Sequence, residues 1–118
     1  MMKHLSFPDF TVEKIDFSPE EKTLKIFVDG AWINIDGGYQ LGKGVLYFNK
    51  WEHLSIKRLN PNTEKWSNVS ELIIEHLKDI CEVKFSDSAI CLYGFGKQIG
   101  HWMEWKILKA TMHAEFDA

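Results

Sequence analysis

The run Thr23 to Asp36, TLKIFVDGAWINID, constrains this chain more than any other stretch. Apolar residues alternate on either side of Asp29-Gly30, a dipeptide that favours the positive-φ turns of β-hairpins. A hairpin centred there sets Val28 opposite Ala31, Ile26 opposite Ile33 and Leu24 opposite Ile35. Strand side chains alternate faces, so all of these share one side, while Phe27, Trp32, Lys25 and Asn34 share the other. The spacing predicts antiparallel β architecture with one dry and one mostly wet face. It carries no information about activity.

The flanking sequence continues in the same idiom. Phe10 to Phe17 reads as a strand whose apolar parity shifts from Phe10 and Val12 to Ile15 and Phe17, which predicts a bulge near Glu13-Lys14. Ser18-Pro19-Glu20-Glu21-Lys22 is a turn, with proline fixing φ. Gly37-Gly38 ends the Asp-Gly hairpin, and Tyr39 to Gly44 reads as a glycine-spaced connection. Val45 to Asn49 and His53 to Leu59 are strands around a turn at Lys50-Trp51-Glu52. Asn60 to Ser67 is a loop built on Asn-Pro-Asn.

Residues 68–79 hold the candidate helix. Val69, Leu72, Ile73, Leu77 and Ile80 approximate a helical stripe, and Glu71 follows Asn68 at capping-box spacing. A strand with Leu72, Ile74 and His76 on one face competes with it. Cys81 to Phe85 and Ala89 to Phe95 form a second hairpin about Ser86-Asp87-Ser88. After the glycines Gly94, Gly96 and Gly100 comes a final strand, Trp102 to about His113. With no repeat, linker or low-complexity tract, residues 1–118 read as one domain. The expected fold class is mainly β (α+β), an antiparallel sandwich or meander of about seven strands with one short helix near 68–79.

Composition narrows the functional classes. The net charge is −3, and of the 14 basic residues only Arg58 is arginine. Arginine leads in bidentate reading of phosphates and bases, so no nucleic acid is expected as a partner. An acidic surface instead suits a basic partner. No window approaches a membrane span, and MMKHLSFPDF lacks the apolar core of a secretory signal, so a cytoplasmic location is expected. Cys81 and Cys91 then read as free thiols rather than a disulfide; a symmetric loop sets Cys91 opposite Val83 and Cys81 opposite Tyr93.

Catalytic and metal patterns are missing. The five histidines show no HxH or HExxH spacing, so neither a metal nor another cofactor is expected. The Asp-Gly pairs lack the alternating oxygen ligands of a calcium loop. Gly94-Phe95-Gly96 is completed by neither GxGxxG nor a Walker lysine-serine pair, and no serine stands in a GxSxG elbow. The chain is therefore expected not to be an enzyme.

Five tryptophans in so short a chain are the remaining signal. With Tyr39, Tyr47 and Tyr93 they would serve either a packed core or an aromatic binding platform. Trp51 and Trp66, placed in a turn and a loop, are the better surface candidates. The expected binding set is Trp51, Glu52, Trp66, Tyr39 and Glu64, aromatic anchors with carboxylates at the rim.

The segment AICLYGFGKQIGHWMEWKI, Ala89 to Ile107, has a strand ending in Leu-x-Gly-Phe, a polar loop and Gly-x-Trp-x-Glu-aromatic. It resembles the C-terminal signature of several small uncharacterised bacterial families, some grouped with immunity proteins of toxin–antitoxin-like and contact-dependent inhibition systems. The resemblance covers about a sixth of the chain and transfers no individual residue, because such proteins share a role without sharing a site. It implies a small bacterial interaction protein that binds and neutralises a protein partner. The alternative is a small-ligand or carbohydrate-binding module with an aromatic cleft. A homo-oligomer through an exposed edge strand is also compatible with the pattern.

Overall fold

The alternating pattern becomes twelve strands in the computed structural model, which describes residues 4–60, 62–68, 76–97 and 101–117. They are β1 (Leu5–Ser6), β2 (Val12–Ser18), β3 (Thr23–Val28), β4 (Ala31–Ile33), β5 (Tyr39–Leu41), β6 (Gly44–Asn49), β7 (His53–Asn60), β8 (Lys65–Asn68), β9 (Glu82–Phe85), β10 (Ala89–Phe95), β11 (Trp102–Leu108) and β12 (Thr111–Phe116). They form a three-stranded sheet β1-β4-β5, a four-stranded sheet β12-β6-β3-β2 and a five-stranded sheet β8-β7-β11-β10-β9. The mainly β antiparallel class holds, with more strands than the expected seven or so. Leu24, Ile26, Leu46 and Phe48 from the four-stranded sheet join Ile56, Leu92, Met103 and Trp105 from the five-stranded sheet in one buried cluster, to which Leu5, Ala31 and Ile33 also belong.

The Asp29-Gly30 signal names the right face and the wrong partners. Leu24, Ile26, Val28, Ala31 and Ile33 are all buried, yet β3 pairs with β2 and β6, and β4 pairs with β1 and β5. Both edges of β3 are already taken, so the chain crosses into another sheet at Gly30. Asp29 ties this crossing to the start of β2: its carboxylate accepts Thr11 N–H at 2.7 Å and Thr11 Oγ1 at 3.0 Å. Gly30 is needed for close approach, since a Cβ there would lie 2.4 Å from Phe10 Cε1. The positive-φ turn falls instead at Asp36, Gly37 and Gly38 (φ 51°, 89° and 85°), where β4 turns back into β5. Tyr39 to Leu41 is thus a strand, not a loose connection.

Other boundaries move for similar reasons. The bulge stands as expected, with the β2–β3 register shifting between Val12 and Lys14. Residues 69–75, the body of the expected helix, lie outside the described residues; at its margins Asn68 closes β8, while Leu77 and Asp79 bridge to Gly96 and Thr11. Around those bridges, Lys78 accepts from Val12 N–H (2.8 Å) and donates to the Phe95 carbonyl (2.7 Å). The segment thus stitches the four-stranded sheet to the five-stranded one. Gly94 leaves room for it, as a Cβ there would fall 2.1 Å from the Asp79 carbonyl oxygen. The second hairpin slips by one residue from the symmetric register, pairing Leu92 with Val83 and Ile90 with Phe85.

The final strand is in fact two, β11 and β12, in different sheets. β7 and β11 pair in one sheet, and their continuations β6 and β12 pair in the other. The paired ribbon bends at a corner where Lys50 (φ 54°) and Lys109 (φ 55°) both adopt left-handed backbone. Glu52 N–H donates to the Leu108 carbonyl across it at 2.8 Å, and Lys109 Nζ lies 3.1 Å from Glu52. Trp51 fills the inside of the bend: it is 2% exposed, stacks on Phe17 at 5.8 Å and carries Lys22 Nζ 4.6 Å from its ring. The expectation of an exposed Trp51 is corrected here, because the turn it occupies points into the core.

Trp51→Ala should cost about 3–5 kcal/mol of unfolding free energy, whereas Trp66→Ala should stay within about 0.5 kcal/mol. Urea denaturation followed by far-UV circular dichroism measures both. Equal costs would refute this placement of the two rings.

Candidate functional site

The five-stranded sheet turns Ile56, Leu92, Met103, Trp105 and Ile107 inward, so their strand neighbours face out. Registry across that outer face brings separate strands into one row. Phe95 pairs with Trp102, and Leu59 with Trp66. One step beyond the Met103–Arg58 pair, Trp102 meets Leu59. The row Phe95, Trp102, Leu59, Trp66 therefore runs from β10 through β11 and β7 to the edge strand β8. Phe95 is 42% and Trp66 44% exposed, which leaves large apolar surface uncovered at both ends. Trp102 is fixed between them, edge-on to Phe95 at 5.0 Å and stacked with Tyr93 at 6.4 Å.

The adjacent row is polar: Glu82, Tyr93, Glu104 and Lys57 follow one another across β9, β10, β11 and β7. Tyr93 donates its hydroxyl to Glu104 Oε2 at 2.8 Å, and Lys84, paired with Glu82 at 3.6 Å, lies 5.4 Å from the Tyr93 ring. Partial burial, then the Glu104 carboxylate, hold the Tyr93 phenol well above its ordinary range. Burial first and Glu104 second also raise the neighbouring Cys91 thiol, making it a weak nucleophile. Both cysteines are free. The array presents fixed rings beside fixed carboxylates, a surface suited to recognition.

The expected site residues separate. Trp66 lies on a strand, not in a loop, and is exposed; Glu64 is exposed in the turn before it, at φ 56°. Glu52 is exposed but sits at the corner, where Lys109 engages it. Six residues of β7 separate that corner from Leu59, roughly 20 Å. Tyr39 is 53% exposed on the three-stranded sheet, opposite Ile33, and Trp51 is in the core. Strand registry therefore sets Trp66 in one outer row with Phe95 and Trp102, beside Tyr93 and Glu104, while Glu64 adjoins Trp66 only along the chain. Strand parity links Tyr93 to Phe95 in the sequence, but their meeting with Trp66 needs the strand order.

Among the described residues, no three His, Cys, Asp or Glu side chains gather to hold a metal ion, and no helix is long and apolar enough to cross a membrane. No family model, curated protein or solved structure matches this chain. The site stands on its geometry.

The folded state keeps the Tyr93 proton at pH values where the unfolded chain releases it. Tyr93 thus adds stability that is fully present below about pH 10 and declines as pH rises further. The raised Tyr47 phenol and the Cys81 and Cys91 thiols act in the same direction. Urea midpoints at pH 9 and pH 11.5 should fall less in Tyr93→Phe than in the parent chain. The same fall in both proteins would disprove the Tyr93 contribution.

Proposed function

We propose that the chain is a small bacterial interaction protein of the immunity type, which binds and neutralises a protein partner in the cytoplasm and acts by recognition rather than catalysis. The observation that carries this reading is the single row of Phe95, Trp102, Leu59 and Trp66, bordered by Glu82 and Glu104. Aromatic residues in a desolvating centre with charged groups at the rim are the usual anatomy of a protein interface. A net charge of −3 makes a basic partner the better complement. The segment that resembles immunity-type families, Ala89 to Ile107, contributes Phe95, Trp102 and Glu104. The rings lie along a sheet face instead of around a cleft, which favours a protein surface over the carbohydrate alternative.

Affinity capture from a lysate of the native cell should retain one stoichiometric protein, released by salt. Trp66→Ala and Phe95→Ala should each weaken its retention, by about 2 kcal/mol or 30-fold. Tyr39→Ala, on another sheet, should not. Recovery of the chain alone, or retention indifferent to both anchor substitutions, would defeat the proposal.

A further inference from the structure

Where β11 passes into β12, the sandwich is left open. Lys109 N–H donates to the Ser88 carbonyl at 2.9 Å and ties the corner to the β9–β10 turn. Beyond that bond, β12 and the turn diverge around a cleft of about 550 Å³. Its walls include Phe85, Ala89, Ile90, Ile107, Met112 and Ala114. Ile107 and Ala89 are buried members of the interior, and Phe85 is 36% exposed at the mouth. The size falls within the usual range for small-molecule sites, which join apolar walls to a few polar groups. Met112, half-buried on β12, adds an unbranched side chain that adapts to a guest's shape.

The polar groups at the rim decide the charge of the guest. Lys109 Nζ is already 3.1 Å from Glu52, and His113 Nε2 is 3.1 Å from Glu115. Asp87 adds another carboxylate to the lining. An anionic ligand would have to compete with Glu52 for Lys109 and would meet Asp87 at the rim, and a cationic one would bring its charge against apolar walls at a desolvation cost. We propose that this cleft binds a small, uncharged, apolar molecule, at a site separate from the aromatic row. Such a guest would gain from covering Phe85 and the inner residues without displacing Lys109 from Glu52. It would lie on the free side of β12, an edge strand of its sheet.

The test uses the full chain and N-phenyl-1-naphthylamine, a neutral probe that fluoresces in apolar surroundings. The expected result is saturable binding of one probe per chain, displaced by 1-decanol at least tenfold better than by decanoate at pH 8. Ser88→Trp, at an exposed turn position on the rim, should weaken probe binding at least tenfold with an unchanged melting temperature. Ala114→Phe, which fills the cleft from β12, should do the same; if it fails to fold, Ser88→Trp carries the test alone. Trp66→Ala should bind as the parent does, which distinguishes the cleft from the aromatic row. Non-saturable fluorescence, full binding by folded Ser88→Trp, or equal displacement by decanoate would each overturn the proposal. So would a parent chain that sediments as a dimer and becomes monomeric on Ser88→Trp, because a second copy would then occupy the cleft.

Discussion

The arrangement of the sandwich depends on one corner. β6 and β12 leave the four-stranded sheet together and become β7 and β11 of the five-stranded sheet. A paired ribbon can fold over only if both chains bend at the same level, and Lys50 and Lys109 do so with nearly identical left-handed angles. Left-handed backbone costs a non-glycine residue about 1–2 kcal/mol, and such conformations persist where surrounding structure holds them. Here Trp51 supplies that structure, packed on Phe17 inside the bend. With the corner in place, Leu46 and Phe48 lie in the same core as Ile56 and Trp105.

Both proposed surfaces follow from this geometry. The bend commits one face of β7 and β11 to the core, which leaves Leu59 and Trp102 on the outside, where β8 and β10 extend them into a row. The same bend carries β12 away from β10 and leaves the apolar cleft between β12 and the β9–β10 turn. The segment 76–81 closes the sandwich elsewhere, bonding to β2 through Lys78 and to β10 through Cys81 and Lys78. One surface is a fixed aromatic strip; the other is a recess with adaptable lining.

Local patterns were readable where one strand or one turn decided the outcome. The parity shift between Val12 and Ile15 marked the bulge at Glu13, because an extra residue reverses facing within a single strand. The apolar set from Leu24 to Ile33 identified the buried face. Pairing was less accessible: Asp29-Gly30 has the chemistry of a hairpin turn, yet β2 and β6 occupy the edges that β4 would need. In the second hairpin, the observed slip sets Val83 opposite Leu92 and Phe85 opposite Ile90, so that Val83 packs beside the buried Leu92 while Phe85 stays exposed. Trp51 was misplaced for a related reason, since a polar-flanked turn residue reads as exposed until the direction of the bend is known.

Sequence alone therefore determined the antiparallel β class, the bulge, and the face of β3 and β4 that is buried, all of which depend on side-chain period and local chemistry. Tertiary structure decided which strands pair, that Trp51 plugs the corner, that Phe95, Trp102 and Leu59 line up with Trp66, and that a cleft opens beside β12. These features require residues far apart in the chain to meet. Their positions depend on competition among strand edges for partners, and that competition is settled only when the whole core assembles.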